Sequence, residues 1–177
     1  MTAEKTILRT DWFSIKEIPS KPVWGMGEKP FYRIDSSDAV VALLLTDQNK
    51  MVLVRQYRPA RNQQTLEFPA GFMEPGETSE QAIRRELKEE TGYVPGKLVE
   101  LGSFGLSVNR NSHSVIGFVA LDAKKVDEPK EGEFIQLVEC SLKEFMTMAE
   151  AGEPILLSDI GFFALARRKL GDRLGLG

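Results

Sequence analysis

The pattern of apolar and polar positions predicts strand-rich parts of the chain on both sides of a helix. The continuous apolar run at 39–46, AVVALLLT, predicts a buried strand. The run at 51–58, MVLVRQYR, predicts the returning strand of a hairpin across the turn DQNK. Further strands are predicted in ILRTDWFSIKEI, FYRID, TLEFPAGF, KLVELGSFGLS, SHSVIGFVALDA and FIQLVECS. The first two of these precede the main run and predict a small sheet that must pack on another element.

Helical periodicity occurs in three segments. The first begins at Thr78, which forms a capping-box pattern with Gln81, and ends at Gly92. The other two are SLKEFMTMAEAG and LSDIGFFALARRKLG, the latter with Ser158 as the expected N-cap. Strands, a helix, more strands and two closing helices predict an α+β fold, an α/β/α sandwich rather than a regular βαβ repeat.

Composition and charge restrict the class of protein. The 177 residues suit one domain with a small appendage, and the net charge of −3 argues against a general nucleic-acid binder. No apolar run approaches the ~18 residues of a membrane span, and the N-terminus has no signal-peptide pattern. The single cysteine, Cys140, excludes an intrachain disulfide and is expected to be buried and inert. We therefore expect a cytoplasmic protein without a nucleic-acid or membrane partner.

Three carboxylates crowd one part of the first helix. Glu89 and Glu90 lie three and four residues after Glu86, so all three side chains are neighbours, beside the apolar stripe. Like charges at these spacings repel, and partial burial increases the cost. Hard oxygen ligands in this arrangement suit Mg²⁺, with Mn²⁺ as the alternative. The competing interpretation is a solvated charged face with Lys88 and Arg84 as partners.

The residues around these glutamates have a specific spacing. It resembles the Nudix hydrolase box over 23 residues, with every fixed position filled and an aromatic residue at the last position, where the family usually has an aliphatic one. The positions are Gly71, Glu77, Arg85, Glu86, Leu87, Glu89, Glu90, Gly92 and Tyr93.

The resemblance extends beyond the box. VRQYRPA and LEFPAG, at 54–60 and 66–71, look like the corresponding segments of the ADP-ribose and nucleoside-diphosphate-sugar pyrophosphatase branch, and the similarity covers roughly residues 5–150. It implies a Nudix α/β/α sandwich with a mixed central sheet at 37–177. It also implies that the strands at 1–36 form a β-sheet appendage that joins the partner subunit of a homodimer.

The resemblance also implies roles for the box residues. The glutamates, together with one backbone carbonyl, bind divalent metal; Glu77 and Arg85 pair and hold the loop against the helix. The implied metal ligands are the carbonyl of Ala70 and the carboxylates of Glu86, Glu89 and Glu90.

The general base of the related enzymes is a glutamate on a loop after the box. Here the loop KKVDEPKEGEFIQ offers Glu128, Glu131 and Glu133. Glu133 immediately precedes a predicted strand, as the family's loop glutamate does, and is preferred, with Glu131 second. The alternative is an ordinary acidic surface loop.

Candidate substrate-binding residues come from several segments. Arg55 and Arg58 suit diphosphate and ribose oxygens, or form surface ion pairs. Trp24 and Phe31 could stack on a nucleobase or belong to the core. Glu67 either acts on the substrate or caps the hairpin.

The segment LSVNRNSH differs from the ADP-ribose group, which usually has a proline about 16 residues beyond the box. Arg110 and the asparagines beside it are candidates for contacting a different terminal group of the substrate. His113, the only histidine, is expected to be a loop residue.

The function implied is metal-dependent hydrolysis of nucleoside diphosphate sugars to a nucleoside monophosphate and a sugar phosphate. The alternatives are a broad nucleotide-cleaning pyrophosphatase, a dinucleotide or coenzyme A pyrophosphatase, and a Nudix-fold sensor that binds such a nucleotide without cleaving it.

Overall fold

The chain forms two sheets and three helices. The computed structural model describes residues 4–20, 25, 29–130 and 135–171. An antiparallel three-stranded sheet contains β1 (Lys5–Arg9), β2 (Ser14–Ile18) and β3 (Phe31–Asp35). The central sheet contains β4 (Ala39–Thr46), β5 (Met51–Arg58), β6 (Gln63–Glu67), β7 (Ala70–Phe72), β8 (Tyr93–Val94), β9 (Lys97–Gly105), β10 (Ser114–Lys125) and β11 (Ile135–Cys140). The helices are α1 (Ser79–Thr91), α2 (Leu142–Glu150) and α3 (Leu157–Leu170).

Strand β4 lies at the middle of the fold and is buried on both faces. Its alternate residues Val41, Leu43 and Leu45 belong to a core cluster that includes aromatic side chains of α2 and α3. The intervening residues belong to a second cluster with the apolar face of α1. Burial on two faces explains the continuous apolar run of this strand, and it confirms the predicted α/β/α arrangement.

The central sheet is mixed, as expected. Its order is β11-β5-β4-β10-β8, with β6 on β5, β7 on β4 and β9 on β10. Strand β10 runs parallel to β4, in the register Val115 to Ala39, while the other pairs are antiparallel. The hairpin of β4 and β5 pairs only near its turn, at Leu44–Val52 and Leu45–Met51. Beyond that point β7 takes the place beside β4, which places the start of the box next to the central strand.

The small sheet contacts the main body mainly through β3. The Ile34 N–H donates to the Arg110 carbonyl at 2.9 Å, and the Ile34 carbonyl accepts from the Ser112 N–H at 3.0 Å. Ser36 and His113 are hydrogen-bonded at 3.0 Å, which gives the loop histidine a structural partner. All residues of β1 are exposed. The domain boundary at residue 36 stays a prediction.

Two local predictions were wrong. Ser158 is not the N-cap of α3, because the helix already begins at Leu157. The Ser158 hydroxyl lies 3.3 Å from the Asp159 carboxyl group instead. The segment TLEFPAGF is not one strand, because pairing stops after Glu67 and resumes at Ala70. Pro69 between them has no N–H to donate to a sheet, although its carbonyl accepts from the Ala42 N–H at 3.0 Å.

Two further observations concern the described part of the chain. Cys140 is buried in β11, and desolvation raises the pKa of its thiol to about 11, as expected for an inert cysteine. Among the described helices, none is both long enough and apolar enough to cross a membrane.

Gly92 ends α1, and replacing it should destabilise the fold. It has φ 74°, and a Cβ there would collide with the backbone carbonyl of Asp127. Gly92→Ala is expected to lower the free energy of unfolding by roughly 2–4 kcal/mol, since left-handed strain of ~1–2 kcal/mol adds to the collision. Urea unfolding measures this change. Gly152→Ala is the matched control, because Gly152 has φ 85° but nothing within 4 Å of a Cβ. Equal losses in the two variants would contradict the role of the collision.

Candidate metal centre

The limits of α1 are set by local interactions. The Thr78 hydroxyl accepts from the Gln81 N–H at 3.2 Å, and the Gln81 side chain accepts from the Thr78 N–H at 2.9 Å, which completes the predicted capping box. Ala82, Ile83 and Leu87 are fully buried against the sheet. The packing of this stripe fixes the rotation of the helix and directs the neighbouring carboxylates toward β7.

Two predicted ligands lie against consecutive residues of β7. A Cβ on Gly71 would overlap the Glu86 carboxylate, so only glycine leaves room for that group. The Glu90 carboxylate accepts from the Ala70 N–H at 3.0 Å. Both acids are largely removed from solvent, with 13% of the Glu86 side chain exposed and 7% of Glu90. The structure therefore brings Ala70, Glu86 and Glu90 together.

Arg85 connects the loop, the strand and the helix. Its Nε and Nη2 donate to the two carboxylate oxygens of Glu77 at 2.8 and 2.9 Å, so the predicted pair is present and bidentate. Nη2 also donates to the Phe72 carbonyl at 3.0 Å, and Nη1 to Glu86 at 2.7 Å and Glu89 at 3.3 Å. One guanidinium therefore contacts three carboxylates and offsets part of the repulsion between them.

Ion pairing shifts the protonation equilibria of these groups. The Arg85 hydrogen bonds lower the pKa of Glu77 to about 2, with help from the Glu74 N–H. The Glu77 hydrogen bond, followed by that of Glu86, raises the pKa of Arg85. The pKa of Glu89 is lowered chiefly by Lys130, whose ammonium is 2.8 Å from its Oε1, and secondarily by Arg85. Glu77 and Glu89 are thus held ionised well below neutral pH.

The donor chemistry fits a hard divalent cation. Glu86, Glu90 and the Ala70 carbonyl would supply oxygen ligands, which Mg²⁺ and Mn²⁺ prefer. Among the described residues no group of three acidic, histidine or cysteine side chains is already arranged to hold a metal. Instead, Arg85 engages Glu86 and Glu89, and Lys130 engages Glu89. The structure tests no ligand assignment, and each stays a prediction.

Sequence reasoning missed a buried acid beside the site. Asp159, in the first turn of α3, is 2% exposed, and its carboxylate accepts from the Phe68 N–H at 2.8 Å. Desolvation raises the pKa of Asp159 to about 7, with a further contribution from Glu67. The only sequence signal was an acid inside the apolar segment LSDIGFF. Asp159 and Glu90 thus hold the chain between β6 and β7 from two different helices.

Arg58 and Glu67 form a pair inside the β5–β6 hairpin. The Glu67 carboxylate is 2% exposed and accepts from Arg58 at 2.8 and 2.5 Å and from the Thr65 hydroxyl at 2.5 Å. The Gln56 side chain approaches the same carboxylate at 3.4 Å. These contacts favour the hairpin role for Glu67, and the substrate role stays a prediction.

Other predicted substrate residues have protein partners as well. Arg55 lies 3.5 Å from the Glu153 carboxylate. The Arg110 guanidinium lies 4.8 Å from the centroid of the Phe31 ring, so two candidates from distant segments are in contact. Trp24 lies outside the described residues.

The preferred base candidates, Glu131 and Glu133, also lie outside the described residues. Glu128 is exposed and accepts from the Lys125 ammonium at 2.9 Å. The chain immediately before Glu131 is fixed, because the Lys130 N–H donates to the Glu89 carbonyl at 2.8 Å.

Known proteins resemble this chain in sequence. The NUDIX domain family model matches residues 35–159. An ADP-ribose pyrophosphatase of Bacillus subtilis is 34% identical over 118 residues, 65% of this chain and 64% of that protein. A methanol dehydrogenase activator of Bacillus methanolicus is 36% identical over 109 residues, 60% of this chain and 59% of that protein. Each match spans less than two thirds of the relative.

A solved structure confirms the fold. The crystal structure of an ADP compounds hydrolase aligns with a TM-score of 0.79 and covers 97% of this chain and 93% of its own. The sequence identity is 22%, so this likeness concerns the fold alone.

Gly71 should be required for metal binding. In Gly71→Ala the new methyl group displaces the Glu86 carboxylate, and we expect Mn²⁺ affinity to fall about tenfold to a hundredfold, as for other changes beside a ligand. Calorimetric titration with Mn²⁺ measures this effect. Gly161→Ala is the control, because a Cβ there meets nothing within 4 Å. An unchanged dissociation constant in Gly71→Ala would contradict the assignment of Glu86.

Asp159 should make stability fall as pH rises. The pKa of Asp159 in the folded protein is about 7, whereas the pKa of an accessible aspartate is 3.8. Between these values the folded state binds more protons than the unfolded state, so the free energy of unfolding falls by up to about 4 kcal/mol and then levels off. Asp159→Asn should remove this part of the slope in urea unfolding from pH 4 to 8.

The control for this measurement is Asp11→Asn, at an exposed position. It should keep the wild-type slope. Identical slopes in Asp159→Asn and the wild type would mean that Asp159 does not hold its proton.

Proposed function

The chain belongs to the Nudix family, and on that premise we propose that it hydrolyses the pyrophosphate bond of nucleoside diphosphate sugars, ADP-ribose among them, with a divalent metal ion. The products are a nucleoside monophosphate and a sugar phosphate. The observation that carries the proposal is the meeting of Glu86 and Glu90 with Ala70 and Gly71 of β7. The B. subtilis relative, which is an ADP-ribose pyrophosphatase by name, supports the substrate class.

The metal is Mg²⁺, with Mn²⁺ as a substitute. Glu86, Glu90 and the Ala70 carbonyl would hold it, with Glu89 as a further ligand. Such an ion supplies positive charge that offsets the repulsion between a diphosphate and its nucleophile and makes water more acidic. Arg85 keeps the loop residue Glu77 and the ligand Glu86 in place, and its loss would misplace the carboxylates.

A glutamate after the box takes the proton of the attacking water. We assign this role to Glu133 first and Glu131 second. The chain leading to them is anchored, since the Lys130 N–H is bonded to the Glu89 carbonyl.

Substrate recognition is assigned to residues around this centre. Arg55 would contact the diphosphate or ribose after leaving Glu153, and Arg58 would do so while Glu67 orients it. Phe31 and Trp24 would stack on the base, with Arg110 on the Phe31 ring as a cationic support. The segment near Arg110 lacks the proline that is usual in the ADP-ribose group, so the terminal sugar of the substrate is not restricted to ribose.

We also assign a homodimer to the protein. Ile7, Leu8 and Trp12 on and beside β1 are exposed, with 75% of Trp12 accessible. β1 lies at the edge of its three-stranded sheet, where an open edge offers backbone groups for pairing. A second copy covering this surface would shield both the apolar side chains and the edge. The oligomeric state is measurable by sedimentation.

The substrate class is tested by incubating the full chain with Mg²⁺ and a panel of nucleotides. The panel contains ADP-ribose, GDP-mannose, UDP-glucose, NADH, coenzyme A and nucleoside triphosphates. We expect the sugar nucleotides to be cleaved fastest, into monophosphate and sugar phosphate, as identified by mass spectrometry. Faster cleavage of NADH or coenzyme A would favour the dinucleotide alternative. Binding without turnover of any compound would favour a nucleotide sensor.

The same assay tests the metal assignment through Glu90→Gln. We expect turnover to fall at least about a hundredfold, because losing a few kcal/mol of charge stabilisation slows the reaction by that factor. Glu80→Gln is the matched control, since Glu80 lies on the same helix but is exposed and pairs with Arg84. Near-normal turnover by Glu90→Gln would refute the role of Glu90.

A further inference from the structure

Lys130 is attached to Glu89 at two points. Its backbone N–H donates to the Glu89 carbonyl at 2.8 Å, and its ammonium donates to the Glu89 carboxylate at 2.8 Å. The residues are 41 apart in sequence. The second carboxylate oxygen of Glu89 accepts from Arg85 at 3.3 Å. Both oxygens of this carboxylate are therefore engaged by positively charged groups.

The position of Lys130 does not depend on its ion pair alone. The segment 126–130 crosses the C-terminal end of α1, where the N–H groups of Val126 and Asp127 both donate to the Gly92 carbonyl, at 2.9 and 3.2 Å. The Lys130 N–H bond adds a third backbone attachment. Removing the ammonium would leave all of these bonds, so the effects of side chain and backbone can be separated.

Lys125, the last residue of β10, precedes this segment and is engaged elsewhere. The Lys125 ammonium donates to both carboxylate oxygens of Glu128, each at 2.9 Å, and Glu128 lies outside the box. Of the two, only Lys130 delivers its charge to a carboxylate of α1. The Glu89 side chain is 30% exposed and that of Lys130 is 65% exposed, so this pair can open without unfolding.

A divalent cation that uses Glu89 needs an oxygen that Lys130 or Arg85 holds. We infer that Lys130 is a positioning residue whose ammonium competes with the divalent cation for Glu89, holding that carboxylate at the site and releasing it when the metal binds. This inference rests on the proposed metal-dependent function. Competition of this kind lowers the apparent affinity for metal, because part of the binding free energy is used to break the ion pair.

The inference is tested by calorimetric titration of the full chain with Mn²⁺, without substrate. Lys130→Gln should bind Mn²⁺ about two- to fivefold more tightly than the wild type, which is the range expected for a partly exposed pair. Lys130→Arg, which keeps the cation, should bind like the wild type. Lys125→Gln, the matched control for loss of one positive charge five residues earlier in the chain, should not change the dissociation constant. High salt should reduce the difference.

A second arm uses Glu89→Gln. In that background, adding Lys130→Gln should have no further effect on Mn²⁺ affinity, because the partner of Lys130 is already neutral. Thermal unfolding of each variant verifies that the fold is retained.

Several outcomes would overturn the inference. Unchanged or weaker binding by Lys130→Gln would do so, as would equal tightening by Lys125→Gln, which would indicate a general charge effect. Tightening by Lys130→Arg, or a persisting effect of Lys130→Gln without Glu89, would contradict competition at this carboxylate. If no variant bound Mn²⁺, the proposed function would fail as well, whereas equal binding by all of them would remove only the role of Lys130.

Discussion

The site depends on the ion pairs that the Arg85 guanidinium makes with the glutamates around it. Carboxylates three and four residues apart on a helix repel one another, and partial burial increases that cost. Arg85 offsets it by contacting Glu86 and Glu89 while also binding Glu77 on the loop and the Phe72 carbonyl on the strand. A planar fork with five donors can do this, whereas an ammonium group cannot. Arg85 therefore fixes the loop against the helix and allows the carboxylates to lie close together.

The core explains why these acids can hold a fixed geometry. Ala82, Ile83 and Leu87 of α1 belong to the second core cluster. They pack there against the side chains on one face of β4. Their neighbours Glu86 and Glu90 then lie at the rim of that core, directly against β7. Side chains held on a packed helix against a sheet strand have little freedom left to lose when they bind a partner, which is the condition for a precise site.

Local signals were sufficient for much of the fold and for the box. The limits of α1 follow from Thr78, Gln81 and Gly92, which lie within or beside the helix. The continuous apolar run at 39–46 predicted a buried strand, and the structure buries it because core clusters cover both of its faces. Sequence reasoning missed residues whose role depends on a contact with a distant part of the chain. Asp159 bonds to Phe68, which is 91 residues away, and no periodic pattern encodes that pair.

The same distinction separates the chemistry of the site from its specificity. The box positions lie within 23 consecutive residues, so their spacing can be recognised from a short stretch of sequence. The candidate substrate contacts join segments far apart, as Phe31 and Arg110 do across the link between β3 and the loop before β10. Such contacts can change while the box stays intact, because no box residue takes part in them.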